Sequence, residues 1–320
     1  MLLDMAASQS TAALPLRDRL HSLVNWTVLF QVGDYIFVTF GLFAAVGAFL
    51  GGLWAAALLL GLGLPLIDVA LLLTAILVGH IVFARAFLLP WRLRGLLQQP
   101  AKTLRTVEFA SWGGFIAIAA GLVLYAVFSG RSLLALVDAA VLGGTLGHVI
   151  GRIGCLTLGC CFGRPSSSPL AVCYDNPLAK AARTAGLRGI PIHPVPLYEA
   201  LFLLGLFLLL NAIALAGSRE GVPAAVYLIT YGSGRFLLEF LRYDSADDHI
   251  GPLPRNQWLS LLQAGAGVAL LVALSSASGP ASPSIAEADA RTLLLIPLLA
   301  ASAALVFLAY SLHRGSIGRW

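Results

Sequence analysis

Arginines, two glutamates, a tyrosine and a histidine carry most of the chemistry this sequence offers. Along 222–242, an otherwise mostly apolar stretch, Tyr231, Arg235, Glu239 and Arg242 stand at i, i+4, i+8 and i+11, which places them on one helical face. Ionisable groups striped along an apolar helix face a partner or a cavity rather than lipid. The stripe reads either as an internal ion-pair ladder or as part of a ligand site. In GGTLGHVIGRIGCLTLGCCFGR (143–164), Arg152 follows His148 by one turn and precedes Cys155, and Arg164 lies beyond a Gly-rich break. A planar guanidinium holds a phosphate through two hydrogen bonds. With Glu239 paired to one arginine, positive charge remains, and that surplus favours an anionic ligand over a bare ladder. HPVPLYEA (193–200) adds His193, Tyr198 and Glu199. A first-turn carboxylate in a favourable helix dipole would account for Glu199, and an interfacial ring for Tyr198. His193 is the main imidazole beside the polar loop. Cys155, Cys160 and Cys161 form a C-x4-C-C spacing that matches no common zinc or haem pattern. Two adjacent cysteines also point apart on a regular helix, so no metal or cofactor is expected.

The elements that position these residues are membrane helices. Of 320 residues, 59% are hydrophobic and only 11% are charged, against about 25% charged in soluble domains. The expected fold class is all-α, a polytopic integral membrane helix bundle with seven to eight transmembrane helices. The spans read as 36–63, 66–90, 109–128, 132–155, 196–216, 222–242, 257–276 and 292–312. Gly143, Gly147 and Gly151 recur every four residues and predict a stripe where another helix backbone approaches closely. The segment 159–195 is too polar to span and is expected on the surface or folded over a cavity. The expected organisation is a polar N-terminal segment (1–35), a membrane domain (36–276), and a linker with an extra C-terminal transmembrane helix (277–320). The N-terminal stretch lacks the basic-then-apolar order of a signal peptide. The net charge of +5 fits topology signals and anionic lipid contact and makes no case for nucleic acid.

GRIGCLTLGCCFGR (151–164), HPVPLYEA (193–200), YGSGRFLLEFLR (231–242) and NQWLSLLQ (256–263) resemble, in this order, the successive signatures of the bacterial prolipoprotein diacylglyceryl transferases. TFGLFAAVG (39–47) and SWGG (111–114) are weaker matches, and the resemblance covers roughly 36–276. It implies transfer of the diacylglyceryl group of phosphatidylglycerol to the thiol of a prolipoprotein lipobox cysteine, with release of glycerol phosphate. It also implies a multi-pass protein of the bacterial plasma (inner) membrane, with phosphatidylglycerol, the prolipoprotein signal sequence and membrane lipid as partners. Arg152 and Arg235 match the family's essential arginines, which handle the lipid phosphate. Arg242 and Tyr231 match further residues of that site, and Arg164 joins them as a phosphate ligand. His193, Glu239 and Glu199 are the implied catalytic residues.

The sequence departs from the family at Trp112, where a histidine is usual, and at Phe40, where a tyrosine is usual. Cys155, Leu158 and Cys160 replace polar residues of the central signature. With Trp112 in place of the histidine, His193 and Glu199 remain as candidate bases. Two alternatives stay open: a lipid transferase with another acceptor, and a non-catalytic phospholipid-binding or transport protein. The basic residues of 91–107, 156–195 and 243–256 predict a cytoplasmic location for that side, whereas the resemblance puts it outside, facing a secreted substrate.

Overall fold

The computed structural model describes residues 16–100, 111–243, 249–276, 278–314 and 317. The helices among them are α1 (Leu16–Val24), α2 (Thr39–Gly61), α3 (Leu66–Ala86), α4 (Leu93–Gln98), α5 (Ser111–Ser129), α6 (Leu133–Leu158), α7 (Lys180–Ala185), α8 (Val195–Leu215), α9 (Val222–Glu239), α10 (Arg255–Ser275) and α11 (Ile296–Ser311). The protein is an all-α polytopic membrane bundle. Six helical stretches are long and apolar enough to cross a bilayer: α2, α3, α6, α8, α10 and Ala290–Ser311, with Gly113–Ser129 as a shorter apolar helix. Helix α9 carries the charged stripe and is not among these six. Leu71, Phe128 and Leu201 stand fully outward on their helices, as a bundle solvated by lipid allows.

Prolines open α8, α9 and α11 in their first turn, where the missing N–H leaves no bond unmade. Helix α6 stops at Gly159, which takes the left-handed conformation (φ 69°) and bonds back to the last turn. The helical part of the predicted span thus runs to Leu158, three residues beyond its expected end.

The most extensive helix contact joins α2 and α6. It depends on glycine: a Cβ on Gly51 would lie 2.6 Å from the Gly143 carbonyl oxygen, and one on Gly47 would lie 2.6 Å from that of Gly147. Gly151, the third member of the predicted stripe, faces open space. Its place in the contact is taken one residue short of a full turn later by Gly154, which lies under Phe40 and Phe43. The contact on α6 thus follows the i+4 row from Gly143 to Gly147 and then continues at Gly154 rather than Gly151. Around this pair, Leu58, Leu60, Leu136, Leu142, Leu203 and Leu210 form a continuous core shared with α8.

Helix α9 is held to α6 by one buried carboxylate. Asp138 accepts from the Gly221 (2.7 Å) and Ala224 (3.0 Å) amides at the start of α9 and from the Ser282 hydroxyl (2.9 Å). These are the amides a helix N-terminus leaves unpaired. The pin sets the two helices side by side at a common depth, so Arg152 and Arg235, each fourteen residues beyond it, lie at the same level about 21 Å away. The His148 and Tyr231 rings, each ten residues beyond the pin, meet edge to face at 5.4 Å.

Short strands complete the fold. β1 (Val28–Val32), β2 (Tyr35–Val38) and β5 (Leu312–Arg314) form an antiparallel sheet in the order β1-β2-β5, with Val28 opposite Val38 and Ile36 opposite His313. β3 (His249–Ile250) and β4 (Leu253–Pro254) make a hairpin before α10. The N-terminal segment is tied to the polar loop: Asn25 accepts from the Asp175 and Asn176 amides (2.8 and 3.0 Å), and His21 meets Asp175 at 2.8 Å. The C-terminal helix α11 packs on α2, and its final strand extends the N-terminal sheet.

Candidate functional site

The polar residues converge where α6 ends, α8 begins and α9 ends. Arg152 is the hub, and each nitrogen of its guanidinium has a separate partner. Nη2 pairs with Glu199 Oε1 at 2.8 Å, Nε donates to His148 Nε2 at 3.1 Å, and Nη1 faces the Cys161 and Cys155 sulfurs at 3.6 and 3.9 Å. Because Nε–H can only donate, His148 Nε2 accepts and carries no proton in this arrangement. Glu199 Oε1 also accepts from the Tyr231 hydroxyl at 2.8 Å. Its second oxygen, Oε2, is buried and has no hydrogen-bond partner among the described residues. Glu199 lies in the second turn of α8, which starts at Val195, so no first-turn acid is present. Its place is decided by Arg152 and Tyr231 rather than by the helix dipole.

The second pair lies on α9 and just beyond it. Arg235 Nη1 meets Glu239 Oε2 at 2.7 Å, Arg242 Nε stands 3.9 Å from the same oxygen, and Asn256 Nδ2 donates to Oε1 at 2.9 Å. Helix α9 ends at Glu239, so Arg242 reaches back to Glu239 from the turn that follows. Both carboxylates are almost fully buried, with side-chain exposures of 0% for Glu199 and 1% for Glu239, while the three arginines retain 10–14%. Among the described residues, three largely buried guanidinium groups thus gather about two carboxylates. A cluster so rich in guanidinium groups is suited to binding an anion such as a phosphate.

Arg164 and His193 form the rim. Gly163 N donates to the His193 carbonyl (3.2 Å), His193 N to the Arg164 carbonyl (3.0 Å), and Arg164 N to the Leu241 carbonyl (2.9 Å). This ladder joins the loop after α6, the approach to α8 and the end of α9. It needs glycine at 163, where a Cβ would sit 2.5 Å from the His193 carbonyl oxygen. The exposed Arg164 donates through Nε to the Arg242 carbonyl at 3.1 Å. His193 Nδ1 lies 3.3 Å from the Tyr198 hydroxyl, at the loop side of the cluster. The fold therefore gathers all eight predicted residues at one end of the bundle, with the Arg152–Glu199–Tyr231 and Arg235–Glu239–Arg242 groups buried and Arg164 and His193 outside them.

Sequence reasoning gave no site role to His148 and Asn256, which hold Arg152 and Glu239. The signal available was a histidine four residues before a membrane arginine and an asparagine opening the NQWLSLLQ segment. Phe40 packs edge to face with Tyr310 at 5.9 Å. Trp112 opens α5, and its side chain lies outside the described residues.

The cysteines overturn one expectation. Cys160 and Cys161 do not point apart, because the helix has already ended at Leu158. Cys161 takes a left-handed backbone (φ 55°), the one such non-glycine among the described residues. That turn folds its thiol back, so the Cys155, Cys160 and Cys161 sulfurs all lie within 4.8 Å of one another. Hydrogen bonds from the Cys155 and Cys160 thiols, with Arg242 and Arg152 adding, hold Cys161 well below the ordinary thiol range.

The sequence profile of the prolipoprotein diacylglyceryl transferases matches residues 27–273. A phosphatidylglycerol–prolipoprotein diacylglyceryl transferase 2 of Clostridium perfringens is 32% identical over 180 residues, covering 55% of this chain and 66% of that protein. Relatives bearing the same enzyme name from Clostridium tetani and Dehalococcoides mccartyi are each 33% identical, covering 48% and 51% of this chain and 59% and 60% of their own length. The chain thus spans less than two thirds of the length of the curated relatives it matches. The family match contains every residue of the buried charge cluster, from Arg152 to Asn256, and on it the chain belongs to the prolipoprotein diacylglyceryl transferase family.

Proposed function

We propose that this protein transfers the diacylglyceryl group of phosphatidylglycerol to the thiol of a prolipoprotein lipobox cysteine, releasing glycerol phosphate. The observation that carries the reading is the convergence of Arg152, Arg235 and Arg242 at one end of the bundle beside Glu199 Oε2, a buried carboxylate oxygen with no hydrogen-bond partner among the described residues. Arg235, which uses Nη1 on Glu239, turns the rest of its fork toward the lipid phosphate, with Arg242, Arg152, Tyr231 and Arg164 lining the same anionic position. As the substrate sulfur bonds to the glyceryl carbon, the carbon–oxygen bond to phosphate breaks and the phosphate takes the electron pair. Preorganised guanidinium groups act where that charge develops, and one such donor is worth about 10²–10³ in rate.

Of the candidate bases, Glu199 is better supported than His193. Its unpaired oxygen is buried beside Arg152, whereas His193 lies at the rim against Tyr198. Glu239 orients Arg235 and Arg242 and is the second carboxylate of the site. The transferase unit is residues 36–276, set in the bacterial plasma membrane with this end of the bundle facing the secreted substrate. The test is rescue of a bacterium depleted of its own lipoprotein diacylglyceryl transferase, together with transfer to a lipobox peptide in phosphatidylglycerol nanodiscs. Rescue and thioether formation are expected. Binding of phosphatidylglycerol without transfer, and no rescue, would favour a lipid-binding protein instead.

A further inference from the structure

We infer that Cys155, Cys160 and Cys161 form a three-thiolate site for a soft d10 cation such as Zn2+, with its fourth position open to a substrate thiolate. The three sulfurs lie within 4.8 Å of one another. Tetrahedral zinc–thiolate bonds of about 2.3 Å require sulfur–sulfur separations near 3.8 Å, so closure needs movements of about 1 Å or less at the end of a turn. The turn itself is shaped for convergence: Gly159 and Cys161 both take left-handed backbone conformations, at φ 69° and 55°. For a cysteine that conformation is disfavoured and persists only where the surroundings impose it. Packing alone gives no reason to bring three thiols together there. Three protein ligands with an open fourth position is the arrangement of catalytic rather than structural zinc. The charge also fits, because three thiolates and one Zn2+ leave a single negative charge, and Arg152 Nη1 already lies against two of the sulfurs.

The cation site stands on these side chains alone, while its use rests on the transfer reaction proposed above. Arg152 joins the thiol cluster on Nη1 to Glu199 on Nη2. A lipobox thiol entering the fourth position loses its proton to Glu199 Oε2 and stays on the cation as a thiolate. Its sulfur then forms the bond to the glyceryl carbon while the phosphate departs with the electrons of the broken carbon–oxygen bond. The thioether product is a weaker ligand than a thiolate and leaves the cation.

The experiment uses the full chain in nanodiscs, loaded separately with Zn2+ and Co2+. Wild type should retain about one equivalent of Zn2+ after dialysis. Cys155→Ser, Cys160→Ser and Cys161→Ser should each weaken binding by about tenfold or more, and Cys173→Ser should not. Helical circular dichroism and elution volume check that each variant is folded. With Co2+ bound, a lipobox cysteine peptide should shift the sulfur-to-metal charge-transfer band, and its serine counterpart should leave it in place. Substoichiometric Zn2+ in wild type, or full retention by the folded triple serine variant, overturns the site. Retained Zn2+ with no shift on adding the thiol peptide overturns the open position. Undiminished transfer by the metal-free triple variant overturns the catalytic use and leaves the transferase reading intact. Metal binding with a thiol shift but no transfer leaves the site intact and removes that reading.

Discussion

Arg152 and Arg235 sit at the same depth yet differ in what they have free. All three nitrogens of Arg152 face protein groups, whereas Arg235 meets Glu239 through one. Replacing Arg235 by alanine should therefore lower diacylglyceryl transfer by about 10²-fold or more, while lysine, which keeps charge but loses the fork, should restore only part of it. Steady-state transfer to a lipobox peptide measures both. Arg152 and Glu199 should behave as one unit. Either alanine variant strands a buried charge and should cost about 3–5 kcal/mol in stability, whereas the double variant should cost less than the two together. A double-mutant cycle by chemical denaturation in detergent reads that coupling, and additive losses would show that the pair is not energetically linked.

Among the helices, the α2–α6 contact has the least room for change. A Cβ on Gly51 meets the Gly143 carbonyl oxygen at 2.6 Å, and backbone on both sides cannot swing away as a side chain would. Gly51→Ala should destabilise the bundle by about 1–3 kcal/mol, measured as a lower thermal midpoint in detergent. Gly151→Ala, facing open space, should be near neutral in the same assay. The Asp138 pin makes a different prediction, because it sets depth rather than packing. Asp138→Asn cannot accept from Gly221, Ala224 and Ser282 with two carboxylate oxygens. It should lower transfer by about tenfold through misplacement of Arg235 against Arg152, with phosphatidylglycerol still bound. Unchanged transfer would show that α9 holds its level without the pin.

For the whole molecule the open contest is orientation. The basic residues that line the site end would by themselves draw that end to the cytoplasm. Arg164, one of these basic residues, however donates to the Arg242 carbonyl at the rim of the site, so part of that charge serves the site. The proposed outward orientation predicts that Ser167→Cys, exposed in the loop after α6, is labelled in intact cells by a membrane-impermeant maleimide. The chain used for this carries serine at its four native cysteines. Labelling only after the membrane is opened would reverse the orientation.

The amino-acid sequence by itself determined the membrane class, the approximate positions of the main helices and the types of residue at the site. Apolar run length, proline at helix starts and the i, i+4, i+8 spacing are local properties that no folding is needed to express. It also held one of the two buried ion pairs, since Arg235 and Glu239 lie one turn apart on one helix. Only the tertiary structure decided that Glu199 pairs with Arg152, because those residues come from different helices brought together by the leucine core shared by α6 and α8 and by the Gly163 ladder. The convergence of the cysteines was likewise out of reach. It depends on α6 ending at Leu158 and on a left-handed turn at Cys161, and a helical reading of the same residues points their thiols apart.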